Sequence, residues 1–177
     1  MKQIEQKLKN WRDERNIKTI SLTLKDDLQK EVIEAQEGLS KQDINNYCEE
    51  IVDIGIFAFN ALGVCNQYYS KQTSIKTDIK LIDIENTINQ IDLSRPIQTR
   101  GLLCAIIGMC ESLVSKRGFD FKKLTLQKIL VLESRRQCLK QKKEWAKNGM
   151  SEKWEKDPKQ DKDTLYKINF DKCKINY

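Results

Sequence analysis

Two stretches decide the reading of this chain: KDDLQKEVIEAQEG (25–38) and NNYCEEIVDIGIFAFNALG (45–63). In the first, Leu24, Leu28, Val32 and Ala35 recur at helical spacing, with Glu31 between Leu28 and Ala35 and Glu34 at the margin of the stripe. In the second, Glu50 and Asp53 stand among Ile54, Phe57 and Ala61. Each acidic pair is spaced i, i+3, and at about 100° per residue its two carboxylates leave the helix on one side. That side is the apolar one. A buried carboxylate without a partner costs several kcal/mol, so it must be protonated, paired or given a metal. Glu31, Glu34, Glu50 and Asp53 together form a hard, oxygen-rich set suited to Mg²⁺ or Mn²⁺.

Working outward, the link Gly38-Leu39-Ser40 is short enough to make the two acidic helices an antiparallel hairpin, with the first helix ending near Gly38 and the second running from about Gln42 to Leu62. Upstream, residues 2–16 carry Ile4, Leu8 and Trp11 at i, i+4, i+7, and Asn16 opens a connector. Thr23 is placed as N-cap of the first acidic helix, with Asp26 and Asp27 in its first turn. Downstream, 65–96 reads as a loop or insertion holding a short helix. Pro96 suits the first turn of a helix that continues from Ile97 to Lys116. FDFKKLTLQKILVLESRRQ forms a further helix with Leu124, Ile129 and Leu132 on its apolar face and Lys128, Arg135 and Arg136 as its cations. The expected fold is all-α, a bundle of four or more long helices: residues 1–145 form one domain, and 146–177 form a charged extension packing back on it through Leu165, Tyr166 and Phe170.

Composition agrees with a helical, polar globule. Of 177 residues, 39% are hydrophobic and 33% charged, with only two prolines and seven glycines. The net charge of +6 suits a polyanionic ligand, although lysine also serves solubility. The absence of histidine excludes Ser-His-Asp and Cys-His catalysis and the Glu-x-x-His sites of di-iron bundles. Six cysteines without C-x-x-C spacing read as reduced thiols rather than zinc ligands. The charged start MKQIEQKLKNWRDER is unlike a secretory leader, and the apolar runs 51–64 and 101–114 read as core helices too short to span a bilayer.

E-x-x-E, fifteen intervening residues, then E-x-x-D resembles the signature of the MazG-like all-α nucleoside triphosphate pyrophosphohydrolases. Trp11, Arg12 and Arg15 before the first motif, the GFD turn and the following helix ending in SR are similar to the same family. EKWEKDP with TLYKINFDKC resembles its bacteriophage members. The family often has two adjacent acids at the start of the first motif, and here Lys30 stands at the first.

The resemblance implies a cytoplasmic homodimer or larger oligomer, in the host cytoplasm for a phage protein. It further implies Mg²⁺-dependent hydrolysis of a (deoxy)nucleoside triphosphate to monophosphate and pyrophosphate, for nucleotide-pool control or cleansing. Glu31, Glu34, Glu50 and Asp53 would hold metal, Glu34 would orient water as base, and Lys128 and Arg135 would meet the triphosphate. Apart from the resemblance, Trp11 could stack on a base and Asn16 hydrogen-bond to its edge, although Trp11 also suits core packing and Asn16 a loop cap. The other class left open is an inert helical module binding nucleic acid or protein through the basic late helix and tail. No groove-binding motif or aromatic platform accompanies those cations.

Overall fold

Helix formers with few breakers produce six α-helices and no strands among the described residues of the computed structural model, which are 1–14, 23–65, 69, 78–134 and 166–175. The helices are α1 (Lys2–Glu14), α2 (Leu24–Ser40), α3 (Ile44–Val64), α4 (Leu81–Asn89), α5 (Pro96–Lys116) and α6 (Phe121–Ser134), followed by a 3-10 turn at Phe170–Cys173. The protein is therefore all-α.

The centre of the bundle is α3, which packs on α2, α5, α1 and α6. Its buried residues, from Tyr47, Cys48, Ile51 and Val52 through Ile54, Gly55 and Ile56 to Phe59, Ala61 and Leu62, cover most of its circumference. The stripe that remains, Asn46, Glu49, Glu50, Asp53, Phe57 and Asn60, recurs at helical spacing and is half-buried. The acids at 49, 50 and 53 lie within this element, half-buried between fully buried neighbours. On α2, Leu28, Val32 and Ala35 are fully buried against it, as the apolar stripe requires.

The turn between α2 and α3 differs from the expected one. Helix α2 continues past Gly38 to Ser40, and the chain reverses with Gln42 in the left-handed region at φ 57°. The Gln42 amide donates to the Leu39 carbonyl at 3.1 Å and the Asp43 amide to the Gly38 carbonyl at 2.9 Å, a Schellman ending that satisfies the last carbonyls of α2. Asp43 at once becomes the N-cap of α3, its Oδ1 accepting from the Asn46 amide at 3.0 Å. Gly38 serves close approach rather than termination. A Cβ there would stand 2.9 Å from the Tyr47 amide nitrogen and 3.1 Å from its Cα.

Three other expectations change. Thr23 occupies the N-cap position of α2 without a capping bond, and its hydroxyl donates to Asp27 Oδ2 at 2.8 Å instead. On α1 the third buried residue after Ile4 and Leu8 is Arg12, at i+4, while Trp11 is half-buried. The Arg12 guanidinium lies over Gly63, where a Cβ would come within 2.1 Å of it, and donates to Asn60 Oδ1 at 2.9 Å. Helix α5 is longer than its apolar run. By length and mean hydropathy it could cross a bilayer, yet half of that window is buried in the bundle, as in a core helix.

Pro96 is the first residue of α5, and α4 is the short helix expected within 65–96, with Leu81, Ile84 and Ile88 buried. Lys25 Nζ and Gln29 Nε2 of α2 donate to the Asn89 carbonyl and Oδ1, each at 2.9 Å, tying α4 to the hairpin. Of the tail, residues 166–175 run along α6: the Tyr166 amide donates to Ser134 Oγ at 3.2 Å at its end, Phe170 meets Phe119 edge to face at 5.8 Å before its start, and the Asp120 amide donates to the Cys173 carbonyl at 2.7 Å. Leu165 lies outside the described residues. The five cysteines among the described residues are free thiols.

Because backbone atoms of α3 face Gly38, an added methyl can be accommodated only by moving the helices apart. Gly38→Ala is expected to lower stability by about 2 kcal/mol, in the range of overpacked interiors. A denaturant midpoint that falls with unchanged slope checks this; an unshifted midpoint would contradict the close approach.

Candidate metal centre

The hairpin brings acids from both helices together. Ligand oxygens of Glu31 on α2 and of Glu50 and Asp53 on α3 all lie within 4.8 Å of one another, each residue half-buried. Two like charges at that separation repel by about 3 kcal/mol at an effective dielectric constant of about 20. The trio cannot be fully ionised without a compensating cation.

Protons take that place in the absence of metal. The Glu31 carboxyl is pushed up to about 8, first by burial and then by the charges of Asp53, Glu34 and Glu50. Glu50 is pushed up to about 7 by burial and by Asp53, with Lys128 pulling the other way. A hydrogen bond joining the two carboxyls raises Glu31 and lowers Glu50. A pair of carboxyls sharing a proton is what a divalent cation displaces, and the donor set is all oxygen. The residues fit Mg²⁺ or Mn²⁺.

Behind the trio lies an ion pair that the motif does not announce. Lys128 of α6 is only 5% exposed, and its Nζ stands 2.5 Å from Glu49 Oε1 and 2.7 Å from Asp53 Oδ2. Burial lowers its pKa, but the charges and hydrogen bonds of Asp53 and Glu49 outweigh burial and raise it overall. The position follows from α6 packing: Phe121, Leu124, Thr125, Lys128 and Val131 recur at i, i+3, i+4, i+7 and i+10 on its buried face. Phe121 lies on Gly55, where a Cβ would be 2.8 Å from its ring, so α6 sits close against α3.

Three of the four residues expected as metal ligands, Glu31, Glu50 and Asp53, thus lie together. Glu34 does not join them: it is exposed at the margin, and its charge acts on the site by raising both Glu31 and Glu50. Lys128 corrects a further expectation, because a buried ammonium held between two carboxylates is not presented to a triphosphate. Trp11 lies in the last turn of α1, and Asn16 and Arg135 lie outside the described residues. Lys30 is an exposed neighbour 3.7 Å from Asp27. Glu49 was missed by the motif reading, although it stands one turn before Asp53, at i, i+4. Compared with known proteins, the chain gives no significant match to a family model, a curated protein or a solved structure.

The raised carboxyls make stability depend on pH in a definite sense. Glu31 moves from an ordinary 4.5 to about 8 on folding, so between those values the folded state holds more protons than the unfolded one. Stability then falls as pH rises through that window. The metal-free protein is expected to lose on the order of 1–2 kcal/mol between pH 5 and about 8.5, after allowance for solvent screening. Thermal melts of the wild type and of Glu31→Gln check this. The variant should have the flatter profile, and equal slopes would remove Glu31 from the titrating pair.

Proposed function

We propose that this chain is a divalent-metal-dependent nucleoside triphosphate pyrophosphohydrolase on the MazG-like all-α plan, releasing pyrophosphate from a (deoxy)nucleoside triphosphate. The observation that carries the reading is the convergence of Glu31, Glu50 and Asp53 from two antiparallel helices into one half-buried oxygen cluster. Spacing alone is common on solvated helices. Convergence across a hairpin, in the most buried helix of the bundle, is not what solvation requires.

In this reading Glu31, Glu50 and Asp53 hold Mg²⁺ or Mn²⁺. Bound there, the ion supplies neutralisation of phosphate charge and activation of water. Glu34, exposed at the margin of α2, is in this reading the carboxylate that orients that water as base. By the family resemblance Arg135 serves the triphosphate, while stacking by Trp11 and hydrogen bonding by Asn16 are the chemistry offered to the base. The same resemblance carries nucleotide-pool cleansing, a homodimer or larger assembly, and a cytoplasmic location. The alternative of a basic helix binding nucleic acid loses one of its cations, because Lys128 is buried.

The test is pyrophosphate release from a panel of canonical and modified nucleotides with Mg²⁺, with Mn²⁺ and with chelator. Release is expected only with the divalent ion. Glu50→Gln or Asp53→Asn should lower turnover by roughly 100-fold or more while the helical fold persists, as expected when charge stabilisation at a reacting centre is removed. Pyrophosphate release indifferent to chelator, or to both substitutions, would overturn the assignment.

A further inference from the structure

The proposed hydrolysis makes no direct use of Lys128, yet few features of the bundle are as costly to build. Lysine is almost never buried without partners. Here its ammonium lies 2.5 Å from Glu49 Oε1 and 2.7 Å from Asp53 Oδ2, with the Lys128 side chain 6% exposed. The two acids are spaced i, i+4 on α3 and lie against α6, whereas Glu50 and Asp53, at i, i+3, meet Glu31 of α2. Asp53 therefore borders two cation positions. One lies among Glu31, Glu50 and Asp53, and the other lies between Asp53 and Glu49, where Nζ stands.

We propose that Lys128 is a positioning residue whose tethered ammonium fills the second cation position of this acidic face, so that the chain holds a single divalent ion through Glu31, Glu50 and Asp53. The inference rests on the metal reading above. Two consequences make the arrangement physical. The ammonium engages Asp53 Oδ2 and so holds that carboxylate in place beside Glu31 and Glu50. It also offsets one of the formal negative charges of Glu31, Glu49, Glu50 and Asp53, and so weakens the attraction for another divalent ion. Without it, neighbouring carboxylates sharing Asp53 would suit two ions roughly 3.5–4 Å apart, the spacing of two-metal sites.

Counting bound Mn²⁺ without nucleotide, by calorimetry and by electron paramagnetic resonance of the free ion, tests this. The wild type should bind one ion and Lys128→Met two, and adding Glu49→Gln to Lys128→Met should return the count to one. If Lys128→Met is unfolded in chelator, millimolar Mn²⁺ should restore its helical circular dichroism, because a divalent ion then takes the place of the lost ammonium. One ion in both proteins, two in the wild type, or a variant that Mn²⁺ does not refold overturns the role of Lys128. No Mn²⁺ bound by the wild type fails the metal reading itself, a result separable from all of these.

Discussion

Repulsion among half-buried carboxylates is the constraint on which this structure turns. Glu31, Glu50 and Asp53 stand within 4.8 Å of one another in the middle of the bundle, and Glu49 adds a further charge on the α6 side. At about 3 kcal/mol for each close pair, the unrelieved sum is comparable to the whole stability of a small domain. The fold relieves it in two ways. A shared proton between Glu31 and Glu50 serves the α2 side, and a buried ammonium serves the α6 side. The first can give way to a metal ion, whereas the second is tethered to the chain.

The rest of the bundle holds these charges at their separation. The Schellman ending at Gln42 and the N-cap at Asp43 reverse the chain within a few residues, and Gly38 lets α2 approach the backbone of α3. On the opposite side, Phe121 over Gly55 seats α6 so that Lys128 reaches Glu49 and Asp53. Helix α3 packs on α1, α2, α5 and α6, and its acids stand on the half-buried stripe that remains. Small residues at 38 and 55 thus serve the site as much as the core.

Much of this was legible in the sequence, because apolar spacing reports directly on which face a helix buries. Leu28, Val32 and Ala35 announced the inward face of α2, and the acids beside them announced a cluster. Pro96 marked the start of α5. What escaped has physical reasons. Gly38 was read as a helix end because glycine favours that position, whereas here it permits contact, and the left-handed residue is Gln42. Arg12 and Lys128 carry charge, which argues for surface, yet each sits at core spacing and is buried with a polar partner on α3. Glu49 was masked by its neighbour Glu50, which completed the motif. Glu34 completed the motif as well, but at the rim of α2 it contributes charge at a distance and stands outside the convergent oxygens.

The central claim is that the carboxylates of the α2–α3 hairpin form a divalent-ion site. A crystal structure with Mn²⁺, located by its anomalous scattering, tests it most directly. The account predicts a peak between α2 and α3 with oxygens of Glu31, Glu50 and Asp53 at about 2.0–2.3 Å, within the range of hard-cation coordination. Diffraction from crystals grown at neutral or higher pH in millimolar Mn²⁺, showing no peak at these oxygens and the Glu31–Glu50 hydrogen bond intact, would contradict it.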